Sequence, residues 1–203
     1  MTLLTYYILN CPEAQQKTTR FYRLLCIFVL PSSYSIDMKA LKRYCIIGTL
    51  FVIITGTLAH FVYDWSGHNY IVGFFFPVSE STREHMKLCF FPMLLYSLYM
   101  RHMLKDTLPC INSALPAGIL VGTFAIPVLF YTYTGILGQN FLPLDIGVFI
   151  VSVLIAFRTV YKLTVSCKVR CYMGLLWIAV AILGLCFVLF TYLPPDIGLF
   201  REP

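Results

Sequence analysis

His60 and Asp64 close one long apolar run, and Glu80, Glu84, His85 and Lys87 open the next. Residues four apart share a helical face, so His60 and Asp64 can act together. They suit a histidine hydrogen-bonded to a carboxylate, or a nitrogen and an oxygen aimed at one ion. Joined by Glu80, Glu84 or His85, they make a donor set for a divalent metal with a position left for water, as metal-assisted hydrolysis requires. A divalent metal is the one cofactor these residues suggest, although no H-E-x-x-H or C-x-x-C spacing is present. Plainer roles compete at each position. Ser81 with Glu84 fits a capping box, in which the serine takes the N3 amide and the glutamate reaches back to the N-cap amide. Glu80 lies just before a helix, where the dipole favours an anion, or serves as an exposed loop carboxylate. Trp65, Tyr63, Tyr131 and Tyr133 suit an aromatic belt at a membrane boundary.

The elements that position these residues follow from composition. The 203-residue chain is 59% hydrophobic and 12% charged, with a mean hydropathy of +0.80. A water-soluble domain carries about 25% charged residues, so most of this surface must face lipid. A helix needs about 20 apolar residues to cross the hydrocarbon core. Spans are predicted over residues 45–63, 82–105, 115–133, 144–161 and 172–192. The second holds a short apolar part, so Glu84, His85 and Lys87 fall in its first turns, and Pro92 is expected to kink it. Pro194 and Pro195 close the fifth. The predicted fold is an all-α polytopic bundle of five transmembrane helices.

Charge sets its orientation. With the start of the first span inside, the inner segments hold Lys39, Lys42, Arg43, Arg101, Lys105, Arg158, Lys162, Lys168 and Arg170; the outer ones hold Arg83, Lys87 and Arg201. Nine against three places the amino end in the cytoplasm and the carboxyl end outside a cell membrane. The net charge of +6 therefore reads as headgroup contact rather than nucleic-acid binding, and Arg158 is expected to snorkel to the inner headgroups. The polar residues gather at the outer face: His60, Asp64 and Trp65; Glu80, Glu84, His85 and Lys87; then Tyr131, Gln139, Asn140 and Asp145 as secondary candidates; and Asp196 and Glu202 near the end. Ionisable groups at membrane depth usually face a protein interior or wet cavity. The loop between the first two spans is long enough for antiparallel packing, which would bring His60 to Glu80 or Glu84. The cysteines are expected to be free thiols, with Cys167 and Cys171 in a reducing inner loop.

Residues 1–37 stand apart. Leu24–Leu30 is too short to span and resembles a signal-peptide core behind Lys17, Arg20 and Arg23. Met38 opens MKALKRYC, itself a complete basic amino terminus, so residues 1–37 are read as an extension or interfacial arm and 38–203 as the transmembrane domain.

The chain from Met38 onward resembles a family of small bacterial multi-spanning membrane proteins of unknown function. The likeness rests on His60 and the run Tyr63, Asp64, Trp65, Ser66 and Gly67, then on Pro77, Val78, Glu80, Ser81, Glu84, His85 and Lys87, and on the TYTGILGQNFLPLDI and PPDIGLFREP segments. Ser79 stands where the family usually has Asn. The resemblance implies a membrane fold and no known activity. Three functions remain open: binding or passage of a small ligand or ion at the outer cluster; metal-dependent hydrolysis of a lipid or lipid-linked substrate; and a structural role in a membrane complex. The bilayer is the one partner the sequence identifies.

Overall fold

In lipid every backbone amide must be satisfied within the protein, which leaves the helix as the natural form for long apolar runs. The computed structural model describes residues 32–193 and 195, with side chains from Met38 onward. They form α1 (Ser32–Trp65), the short α2 (Tyr70–Gly73), α3 (Thr82–Leu104), α4 (Ile111–Leu137), α5 (Leu142–Ser166) and α6 (Met173–Leu189), with a 3₁₀ turn at Arg170–Tyr172. The described residues contain no strand. The Leu24–Leu30 segment, Pro194, Asp196, Arg201 and Glu202 lie outside the described residues.

Four helical segments are long and apolar enough to cross a membrane: Met38–Trp65, Ile111–Leu137, Leu142–Ser166 and Arg170–Leu189. Their outer surfaces match that solvent. Along α1, Ile46, Leu50, Ile54, Leu58, Phe61 and Trp65 form an exposed apolar stripe, and α6 exposes Leu175, Ile178, Ile182, Leu185 and Leu189. Contiguous apolar surface on this scale marks a face that meets lipid or another protein. Several hydroxyls within the helices turn back on their own backbone, as when Thr49 donates to the Cys45 carbonyl (2.9 Å) and Thr57 to that of Ile53 (2.8 Å). The chain is a helical membrane protein.

The fifth long helix, α3, is different in kind. It is not among the four segments apolar enough to cross alone, yet it is the most enclosed, burying Met86, Cys89, Phe90, Met93, Tyr96 and Met100. The charged residues of its first turns point inward: Arg83, Glu84 and Lys87 are all buried, while Arg101 and His102 in its last turn are exposed. The helix runs unbroken through Pro92. Tyr96 ties it to α1 by donating to the Tyr44 carbonyl (2.8 Å). The close crossing of α1 depends on Gly56, where a Cβ would lie 2.5 Å from a Phe149 ring carbon and 2.6 Å from the Leu88 carbonyl oxygen.

The helix ends follow ordinary chemistry. Gly138 adopts a left-handed φ of 75° to end α4, a conformation open to glycine without Cβ strain. Pro143 lies in the first turn of α5, where a missing amide costs nothing. Contacts across the bundle show that the long helices alternate in direction. The loops after α3 and after α5 meet through a Cys110–Cys167 disulfide, Cα to Cα 5.3 Å. At the other end, Tyr192 beyond α6 donates to the Tyr70 carbonyl (2.8 Å). The disulfide corrects the expectation of free thiols throughout: Cys45, Cys89 and Cys186 are free, whereas Cys110 and Cys167, 57 residues apart, are bonded. Cys171 is also engaged.

Candidate functional site

The end of the bundle where α1 stops and α3 starts carries two polar assemblies, one buried and one open. Between them runs the loop from Ser66 to Ser81. Its start is a tight turn: Gly67 and His68 have φ of 68° and 62°, and Asn69 caps α2 by accepting from Ile71 N–H (2.9 Å) and Val72 N–H (3.4 Å). The apolar middle of the loop folds back onto the bundle as α2. Gly73 lets it pack closely there, since a Cβ would overlap the Tyr192 hydroxyl and lie 2.7 Å from Val78 Cγ1.

The buried assembly centres on Glu84. Its Oε2 lies 2.8 Å from Lys87 Nζ and accepts the Val78 N–H (3.0 Å); its Oε1 pairs with Arg83 Nη2. Lys87 also donates to the Gly73 carbonyl (3.0 Å) and the Thr191 hydroxyl (2.9 Å), and Arg83 reaches the Phe187 carbonyl (3.4 Å). Glu84 and Lys87 are 0% and 1% exposed. These bonds join the first turns of α3 to the loop and to the end of α6. The capping-box reading is therefore corrected: Ser81 occupies the N-cap without a side-chain cap bond, and Glu84 turns inward because two buried cations and an amide lie there. Glu84 and Lys87 are accordingly not part of the open assembly.

The open assembly joins His60 on α1 with Glu80 before α3 and His85 within it. His60 Nε2 lies 3.6 Å from Glu80 Oε1, and His85 Nε2 lies 3.4 Å from Glu80 Oε2. The two imidazoles stack, centroids 5.5 Å apart at 28°. His85 Nδ1 lies 3.0 Å from the Ser81 carbonyl. A carbonyl only accepts, so the proton there sits on Nδ1. His60 Nδ1 is buried with no hydrogen-bond partner among the described residues. Beside this trio is a cavity of about 120 Å³ bordered by His60, Tyr63, Asp64, Pro77 and Glu80.

The expected His60–Asp64 pairing is not formed. Asp64 Oδ1 faces His68 Nε2 at 3.3 Å instead, because the left-handed turn after Trp65 folds His68 back over the helix end. Trp65 is 69% exposed and stacks on Phe61 (5.8 Å). Of the secondary candidates, Tyr131, Gln139 and Asn140 are exposed, and Asp145 accepts a hydrogen bond from Tyr133; none of them borders the cavity. Arg158 is exposed. Sequence reasoning missed Thr191, a single hydroxyl at the end of an apolar helix, and gave Arg83 only a charge. No local pattern marks either as a partner of α3.

Comparison with curated proteins finds no match, and comparison with solved structures finds none. A family model matches residues 33–203, nearly all of the described chain. The chain belongs to that family, a family of unknown function (DUF6512).

Proposed function

We propose that this is a five-span protein of the cell membrane, amino end inside and carboxyl end outside, whose outer pocket binds a small cationic ligand or ion. In this reading α3 is the fifth span, able to cross despite its charges because Arg83, Glu84 and Lys87 turn inward, Arg101 falls in its last turn, and the other helices surround it. The orientation rests on the charge bias, nine cations against three. The binding role rests on one observation: the Glu80 carboxylate is held between two imidazoles at the edge of a cavity that Asp64 also borders. A purely structural subunit would not need an open pocket lined by carboxylates, since a pocket with a few convergent polar groups is the usual form of a ligand site.

The test uses accessibility. Ser79→Cys adds a thiol at the cavity rim. A membrane-impermeant maleimide should label it in intact cells, and reporters fused after Lys105 or Lys168 should read cytoplasmic while one near Gln139 reads external. A Ser79→Cys protein that folds yet stays unlabelled, or a cytoplasmic signal at Gln139, refutes the outward pocket.

A further inference from the structure

The ligand chemistry of the open assembly can be carried further, on the basis of the outward-pocket reading. We infer that His60, Glu80 and His85 bind one divalent transition-metal ion of the zinc class, leaving a coordination position directed at the cavity.

The Nδ1 proton of His85 is committed to the Ser81 carbonyl, so in the neutral ring Nε2 is a bare lone pair facing the Glu80 Oε2 lone pairs at 3.4 Å. Two acceptors do not hold each other, so the contact needs a donor or a cation that both can bind. The two stacked rings, 5.5 Å between centroids, present the same gap to one carboxylate, and a single divalent cation fills both at once. Fixing a histidine's tautomer through a backbone carbonyl is also the common outer-sphere arrangement of metal sites.

The distances agree. The His60 and His85 contacts to Glu80, 3.6 and 3.4 Å, exceed ordinary N–H···O hydrogen bonds, about 2.7–3.2 Å. Ligands at zinc-like bond lengths of about 2.0–2.1 Å in a tetrahedron stand roughly 3.3 Å apart. One ligand atom from each of the three residues lies within 4.8 Å of the others, so small rotamer adjustments complete the set. Two imidazoles and one carboxylate favour zinc, cobalt or nickel over magnesium or calcium, which prefer all-oxygen shells. Three protein ligands leave a tetrahedral ion one place for water, and the cavity beside His60 and Glu80 supplies the room.

The experiment strips the full-length protein in detergent with chelator and then dialyses it against micromolar Zn2+ or Co2+, with Mg2+ and Ca2+ as comparisons. One Zn2+ per folded chain is expected. His60→Gln, Glu80→Gln and His85→Gln should each lose it while keeping the helical circular dichroism spectrum, and Asp106→Asn at the opposite end should retain it. Cobalt should show ligand-field bands without the intense thiolate charge-transfer absorption. Folded protein that binds no Zn2+ overturns the inference. So does binding that survives all three substitutions or carries the thiolate band, which would place the ion on cysteines. If the Ser79→Cys protein is labelled from outside while the parent chain binds no metal, the metal assignment alone falls and the pocket stands. Absence of labelling removes the pocket itself.

Discussion

Replacing Glu84 by glutamine should be among the most damaging conservative changes in this protein. The carboxylate is fully buried, receives Lys87 Nζ at 2.8 Å and Val78 N–H at 3.0 Å, and pairs with Arg83. Glutamine keeps the volume and one acceptor, but it removes the negative charge between two cations and turns an amide donor toward one of them. Removing one partner of a buried ion pair costs about 3–5 kcal/mol. Lys87→Met is expected to cost less, about 1–3 kcal/mol, because Glu84 keeps Arg83 and Val78 while the Gly73 carbonyl loses its donor. In a chain of this size each kcal/mol moves the melting temperature by about 2–4 °C, so Glu84→Gln should fall on the order of 10 °C and Lys87→Met roughly half as far. The buried Cys45 and Cys89 thiols supply the assay. A fluorogenic maleimide reads their exposure as detergent-solubilised protein is heated. The double substitution should cost less than the two single costs added, by about 0.5–3 kcal/mol. A Glu84→Gln protein that melts within a degree of the parent, or strictly additive costs, would refute the network as a stabilising unit.

Gly73→Ala should destabilise by about 1–3 kcal/mol through overpacking against Val78, Tyr63 and the Tyr192 hydroxyl; Gly135→Ala, facing open space on α4, should be neutral or gain about 1 kcal/mol. Equal melting temperatures for the two would show that α2 is not packed against Tyr192. Cys110 and Cys167 close a 57-residue separation, and while bonded they should add about 4 kcal/mol by loop-closure entropy. The geometry brings the sulfurs together, but the compartment decides their state. A basic end in the cytoplasm keeps this bond open in cells and lets it close once the protein is extracted into air, so rapid alkylation of intact cells should trap the pair as thiols; a pair fully oxidised in cells would reverse the proposed orientation.

The helices were legible because lipid demands them: a run such as 45–63 has few alternatives once its surroundings are apolar. The structure extends the first, third and fourth runs into the boundary layers, as α1 does from Ser32 to Trp65, because helical hydrogen bonding does not stop where hydropathy falls; the last helix instead ends at Leu189, short of the predicted 192. That His60 would meet a carboxylate of the next element was also legible from two helix ends and a loop long enough to return the chain, but the sequence left Glu80 and Glu84 open, and the structure places Glu80 there. Glu84 was not. Its spacing to Ser81 matches a local cap, and local pattern cannot show that Lys87, one turn on, is held by Gly73 and Thr191 from distant parts of the chain. The left-handed turn at Gly67 and His68 hid the partner of Asp64 in the same way. The cysteine pair was invisible because its proximity is a product of the whole bundle.

The two polar assemblies divide the work of one helix end. Glu84 and Lys87, three residues apart on one face of α3, are held by the loop and by the end of α6, and this fixes where α3 begins and how it is rotated. His85, between them in sequence, is carried to the face that meets α1, and the Ser81 carbonyl one turn back fixes its ring. Val78, bound to Glu84, lies two residues before Glu80, so the same carboxylate restrains the backbone that presents the open one. A ligand site is only as precise as the shell that supports it. On the proposed reading, disturbing the buried network should loosen the His60–Glu80–His85 geometry without touching any of its three side chains. The converse does not hold: Glu80 is 65% exposed at its side chain, and its loss leaves every bond of the buried network in place.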